Sequence, residues 1–124
     1  MLAGSRPWLM IAGVLGASAV ALGAVGAHAV SDPIAAASLE RASTYQLLHA
    51  IALLALSGAT ARWMGVARAL MFLGVVGFSG AIYAKYLIGI TAAGQVAPMG
   101  GTVLIASWLV VVVSASLATR PTTD

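Results

Sequence analysis

The chain has 124 residues, 61% of them hydrophobic and 7% charged, whereas soluble domains average roughly 25% charged. With a mean hydropathy of +1.04, too few polar side chains remain to coat a water-facing surface, which points to an integral membrane protein whose apolar surface faces lipid. The net charge of +3 comes from six scattered Lys and Arg, with no basic run to follow a phosphate backbone, so nucleic acid is not an expected partner. The absence of cysteine removes disulfides, thiolate metal sites and thiol catalysis.

Four apolar stretches, each near the ~20 residues an α-helix needs to cross a bilayer core, predict an all-α four-helix membrane bundle forming a single domain over 1–124. They cover residues 8–27, 42–61, 69–90 and 98–119, with an outer loop at 28–41. The first ends in Ala27-His28-Ala29, the small-x-small form of a signal-peptidase site. A signal peptide has an apolar core of roughly 7–15 residues, and the run before His28 is longer, so the segment is read as a permanent helix. Cleavage, the alternative, would leave three spans and an outside N-terminus.

Small residues recur at four-residue spacing along this first helix, as Ala19, Gly23 and Ala27 on one stripe and Gly13, Ala17 and Ala21 on another, with Gly16 between. Such patterns let helix backbones approach closely where lipid removes the hydrophobic drive for association. The loop that follows contains Asp32-Pro33 and then IAAASLERA, the pattern of a short interfacial helix leading into the second span. In that span Arg41, Tyr45 and His49 recur every four residues and share a face, with Gln46 beside His49. His49 is expected about 10 Å below the outer boundary by helix rise.

The third span carries Gly77 before Ala81 and Gly80 before Ala84, and a polar stripe of Ser79 and Tyr83 continued by Tyr86. Lys85 falls near its outer end, where a four-carbon stem can reach the headgroups; pairing with Glu40, Asp32 or an acid on another subunit is the alternative. The fourth span opens with Pro98-Met99-Gly100-Gly101, a helix start in which Pro suits the first turn and the glycines admit another backbone. Arg6, Arg62, Arg68 and Arg120 fall on one side of a four-span arrangement, against Arg41 and Lys85 on the other. The excess places both termini in the cytoplasm.

Helix directions thus collect His28, Tyr45, Gln46, His49, Ser79 and Tyr83 in the outer half and leave the inner half almost without polar groups. A polar group in hydrocarbon is unfavourable unless it finds a partner, so the cluster is either a register-setting hydrogen-bond network or an outward-facing pocket. Haem ligation by His28 and His49 within one chain is disfavoured by their unequal depth, and no carboxylate or thiol accompanies them at zinc-ligand spacing. No cofactor is implied. The span interiors hold no Asp or Glu to carry protons, and no Ser, His and acid form a nucleophilic arrangement.

GAVGAHAV, YQLLHAIALL, FSGAIYAKYL and APMGG followed by IASWL occur in this order along nearly the whole chain. Together they resemble the YgdD-like small inner-membrane proteins, a family catalogued as domain of unknown function 423 with relatives in mitochondria. The resemblance implies a four-helix bacterial inner-membrane protein with its first helix retained, and carries no established activity. The family pattern coincides with His28, Tyr45, Gln46, His49, Ser79, Gly80, Tyr83, Pro98, Gly100 and Gly101, and departs at Lys85, where an apolar residue is more familiar. The expected role is non-enzymatic association, as a homo-oligomer or accessory subunit among other membrane proteins, with Gly13, Gly16, Gly23, Gly77, Gly80, Gly100 and Gly101 as packing positions and Lys85 as a partner contact. The alternative is an outward-facing lipid, quinone or small-solute site on the polar cluster. A channel would need a wet path through the inner half, which the sequence does not line.

Overall fold

The computed structural model describes residues 5–118, and four long helices dominate them. α1 spans Arg6–His28, α2 Pro33–Leu56, α3 Met64–Ile88 and α4 Ala97–Leu117. The connections are short, so consecutive helices run antiparallel. α1 pairs with α2 and α3 with α4, and α2 meets α3 to join the two hairpins. α2 and α4 make no backbone contact of comparable extent.

Three stretches are long and apolar enough to cross a membrane: Arg6–His28 and Thr91–Leu117, each with mean hydropathy 2.1, and Met64–Ile88, with 1.7. α2 has the length, but its hydropathy is lowered by Glu40, Arg41, Gln46 and His49. The reason lies in its position between α1 and α3, where Ser43, Gln46 and His49 turn inward and are buried.

Helix boundaries correct the expected loop at 28–41. Asp32 caps α2, its Oδ2 accepting the Ala35 N–H at 3.0 Å, and Pro33 supplies a preset φ in the first turn. The helix then runs unbroken through Glu40 and Arg41, both of which are exposed. At its far end α2 stops at Leu56 instead of continuing to 61. Arg68 replaces the missing helical partners, donating from Nη1 to the Leu56 carbonyl at 2.8 Å and the Ala59 carbonyl at 2.9 Å. α3 therefore starts earlier than 69, at Met64, after Trp63 adopts a left-handed φ of 74°. It ends at Ile88, where Gly89 takes φ 82° and turns the chain. The end of the expected fourth span, Thr119, lies outside the described residues, as does Arg120.

The apolar core of Ala12, Leu53 and Met71, flanked by Trp8, Leu56 and Val111, fills the half of the molecule where α1 begins and α4 ends. The buried polar groups of α2 and α3 lie towards the half holding the α1–α2 turn, referred to below as the turn half.

Two turns of α3, Val76–Gly80 and Ala84–Ile88, widen to π-helical geometry, a local expansion that re-aims the following side chains. At the first, α3 and α4 touch backbone to backbone. A Cβ on Gly100 would stand 2.2 Å from the Phe78 amide nitrogen, and one on Gly77 would stand 3.1 Å from the Gly100 Cα. Gly74, which the sequence reading passed over, is similarly closed by Leu104 at 2.6 Å.

Candidate functional site

Gln46 is the hub of the turn half. Its Nε2 donates to the Leu15 carbonyl at 2.9 Å and the Ser18 hydroxyl at 2.7 Å, and its Oε1 accepts the Tyr83 hydroxyl at 2.6 Å. One amide thus joins α1, α2 and α3. Ser79 adds a second link from α3, donating to the Ala42 carbonyl at 2.8 Å. Ser79 lies within the first π-helical turn of α3 and Tyr83 follows it by one turn, and both face α2.

His49 ties α2 to α4. Its Nδ1 lies 2.7 Å from the Tyr45 carbonyl, and the Trp108 indole Nε1 donates to its Nε2 at 3.0 Å. A carbonyl only accepts and an indole N–H only donates, so these two partners select the neutral imidazole with its proton on Nδ1. Tyr45 stacks on His49 with ring centroids 6.4 Å apart and meets Phe78 edge-on at 5.2 Å.

Of the six residues expected in the polar cluster, Gln46 and Tyr83 are bonded to each other, Ser79 is bonded separately to the Ala42 carbonyl, and Tyr45 and His49 form an aromatic pair. His28 joins none of these. It is the last residue of α1 and is exposed, because α1 ends before its side chain can reach the α2–α3 interface. Ser18 and Trp108 were not anticipated. Ser18 sits among apolar α1 neighbours at a four-residue step from Val14, to whose carbonyl it donates at 2.8 Å, and Trp108 entered the sequence reading only within the IASWL motif. The one available cue was that a buried glutamine and histidine needed partners on other helices.

The packing glycines divide as well. Gly16, Gly23 and Gly26 face Ala50, Ser43 and Leu39 of α2, while Gly77 and Gly100 carry the α3–α4 crossing. Gly101 has room, a Cβ there meeting Phe78 Cδ2 at 3.7 Å. At Gly13 and Gly80 a Cβ would meet nothing within 4 Å among the described residues. Lys85 lays its stem against Gly94, where a Cβ would come within 2.9 Å of Lys85 Cδ. Its ammonium sits 5.0 Å from the Tyr86 ring centroid. Glu40 lies on the other side of α2, in a hollow against Gly23 and Gly26 of α1.

Between α2 and α4 a groove of about 510 Å³ opens sideways from the helices. Arg41, Tyr45 and His49 form one wall, Ile105 and Trp108 the other, and Phe78 the floor. Through Arg41, Phe78 and Pro98 it continues into a hollow of about 280 Å³ that reaches Lys85. Among the described residues no three His, Cys, Asp or Glu side chains gather as a metal site.

The family described as Protein of unknown function (DUF423) matches residues 22–101, which include Gln46, Tyr83 and most of the groove. A UPF0382 membrane protein of Staphylococcus saprophyticus is 40% identical over 114 residues, covering 84% of this chain and 92% of its own length. The UPF0382 inner membrane protein YgdD of Escherichia coli is 35% identical over 118 residues, covering 90% of each. The UPF0382 membrane protein YwdK of Bacillus subtilis is 34% identical over 105 residues, covering 78% of this chain and 85% of its own. No solved structure matches the chain at a significant level. With its family model matched from the end of α1 through α2 and α3 into the first turn of α4, and its relatives aligned over most of their length, the chain belongs to the DUF423 family of membrane proteins.

Proposed function

We propose that this protein is a non-enzymatic membrane component that works by association, as a homo-oligomer or as a subunit of a larger membrane complex. All four helices cross the membrane in this reading, with both termini in the cytoplasm, the side to which Arg6, Arg62 and Arg68 point. The relatives named as membrane and inner membrane proteins support a bacterial inner-membrane location.

The observation that carries the proposal is the outer face of α1. Gly13, Ala17 and Ala21 are exposed at four-residue spacing, beside Val14 and Val20, which are 69% and 63% exposed. The opposite small-residue face of α1, Ala12, Ala19 and Gly26, is buried on α2. One face of small residues therefore serves the fold, and the other is left exposed among the described residues. Close backbone approach is the main source of helix association in lipid, and the exposed face is shaped for it. The polar side chains that could do chemistry support the same reading: Gln46 and Tyr83 are bonded to each other, Gln46 also to Ser18 and the Leu15 carbonyl, His49 to Trp108 and the Tyr45 carbonyl, and Ser79 to the Ala42 carbonyl.

Native mass spectrometry of the protein extracted in native-lipid particles tests this. The expected result is a homo-oligomer or a reproducible protein partner that is lost in Gly13→Leu, a substitution for which the monomer has space. A lone monomer in native-lipid particles and in every mild detergent would overturn the proposal.

A further inference from the structure

The groove between α2 and α4 differs from an ordinary lipid-facing crevice in its charge. Arg41 stands at one end of it, level with Pro98 in the first turn of α4, and the adjoining hollow adds Lys85. Among the described residues no carboxylate lines either cavity. Glu40, next to Arg41 in sequence, faces α1 instead. Arg41 makes no hydrogen bond or ion pair among the described residues. α4 begins at the same level with no side chain capping its N-terminus, adding the partial positive charge of its free amides.

Below these cations the walls become apolar and aromatic. From Pro98 to Trp108 the groove follows α4 for about 15 Å at ~1.5 Å per residue, about half of a ~30 Å hydrocarbon core. The polar atoms of His49 are both occupied, Nδ1 by the Tyr45 carbonyl and Nε2 by Trp108. A quinone ring therefore finds no imidazole proton or lone pair free to hold it. What the site offers is a cationic end joined to a chain-length apolar trough.

We propose that this groove is a binding site for an anionic phospholipid, with the headgroup phosphate between Arg41 and Lys85 and one acyl chain lying along Tyr45, His49, Ile105 and Trp108. Guanidinium matches phosphate oxygens in bidentate geometry, and the chain length served is that of a single leaflet. The occupant is a lipid and not a free phosphate, because the cations sit at the mouth of the trough.

Trp108 reports on the site directly. A full-length Trp8→Phe/Trp63→Phe chain leaves it as the sole tryptophan. In phosphatidylcholine vesicles, acyl-brominated phosphatidylglycerol at low mole fraction is expected to quench Trp108 far more than brominated phosphatidylcholine at the same fraction. Arg41→Gln and Lys85→Gln should each reduce that preference about fivefold, the effect of one basic residue beside an anionic headgroup, and Arg41→Lys should keep most of it. Gly101→Leu, which fills the trough with both cations in place, should abolish it. Equal quenching by the two lipids, or an undiminished preference in Gly101→Leu, would overturn the site, the latter by leaving only surface attraction. Relief of quenching by millimolar glycerol phosphate would assign the cations to a free anion and overturn the lipid. If the tryptophan replacements disturb the fold, wild-type and Arg41→Gln protein compared by native mass spectrometry give the same answer: retained phosphatidylglycerol in the first and loss in the second support the site, and equal retention overturns it.

Discussion

The Trp108 indole N–H donates to His49 Nε2 at 3.0 Å, joining α2 to α4 at the end of the groove away from Arg41 and Pro98. The bond determines a tautomer, since the other imidazole nitrogen faces the Tyr45 carbonyl at 2.7 Å. In lipid the ¹⁵N spectrum of His49 should show a neutral ring with a protonated Nδ1 and an acceptor Nε2. Trp108→Phe should shift the Nε2 resonance and destabilise the protein by about 1 kcal/mol, within the range measured for interhelical hydrogen bonds in membranes. An Nε2-protonated ring in the wild type would contradict the pairing.

Gln46 makes three hydrogen bonds to two other helices. Gln46→Leu should cost about 2 kcal/mol, and Tyr83→Phe about 1 kcal/mol, because the latter strands a buried amide oxygen. In a double-mutant cycle the two losses should fall short of additivity by at least about 0.5 kcal/mol. Steric-trapping or denaturant unfolding in bicelles supplies the numbers, and strict additivity would mean that the two side chains do not bond in the membrane.

The adjacent glycines Gly100 and Gly101 should behave oppositely. In Gly100→Ala the new methyl would meet α3 backbone at 2.2 Å, and neither helix can yield without opening the crossing, so a loss of about 2 kcal/mol or more is expected. Gly101→Ala gains an ordinary contact with Phe78 at 3.7 Å and Gly80→Ala meets open space, so both should be neutral or slightly stabilising through helix propensity. Thermal stability of the three variants, measured side by side, checks the order.

Arg68 closes the end of α2 through the Leu56 and Ala59 carbonyls and places its guanidinium 5.7 Å from the Trp8 ring centroid. Arg68→Met keeps the stem but removes these partners, and should destabilise the protein by about 1–3 kcal/mol. Amide hydrogen exchange should rise first at 57–61. Protection equal to that of the wild type there would show that the carbonyls find water instead.

Much of the architecture was legible in composition and local pattern. Long apolar runs cannot remain in water, and in lipid their backbones must bond internally, so helices at these positions follow from residue type alone. The helical pattern of IAAASLERA after Asp32-Pro33 was also visible. Its fusion with the second span into one helix, Pro33–Leu56, was not, because the charges at Glu40 and Arg41 interrupt the apolar run that marks a span.

The sequence by itself determined that this chain is an apolar, all-helical membrane protein, where its small residues cluster, and that Gln46, His49, Ser79 and Tyr83 would require partners. Only the tertiary structure decided the partners: Ser18 and Trp108 instead of His28, Arg68 as the closure of α2, Gly100 as a crossing point and Gly13 as a free surface. Periodicity assigns a residue to a face of its own helix. Whether that face meets a carbonyl, an indole or lipid depends on the rotation and separation of other helices, which residue spacing within one helix does not encode.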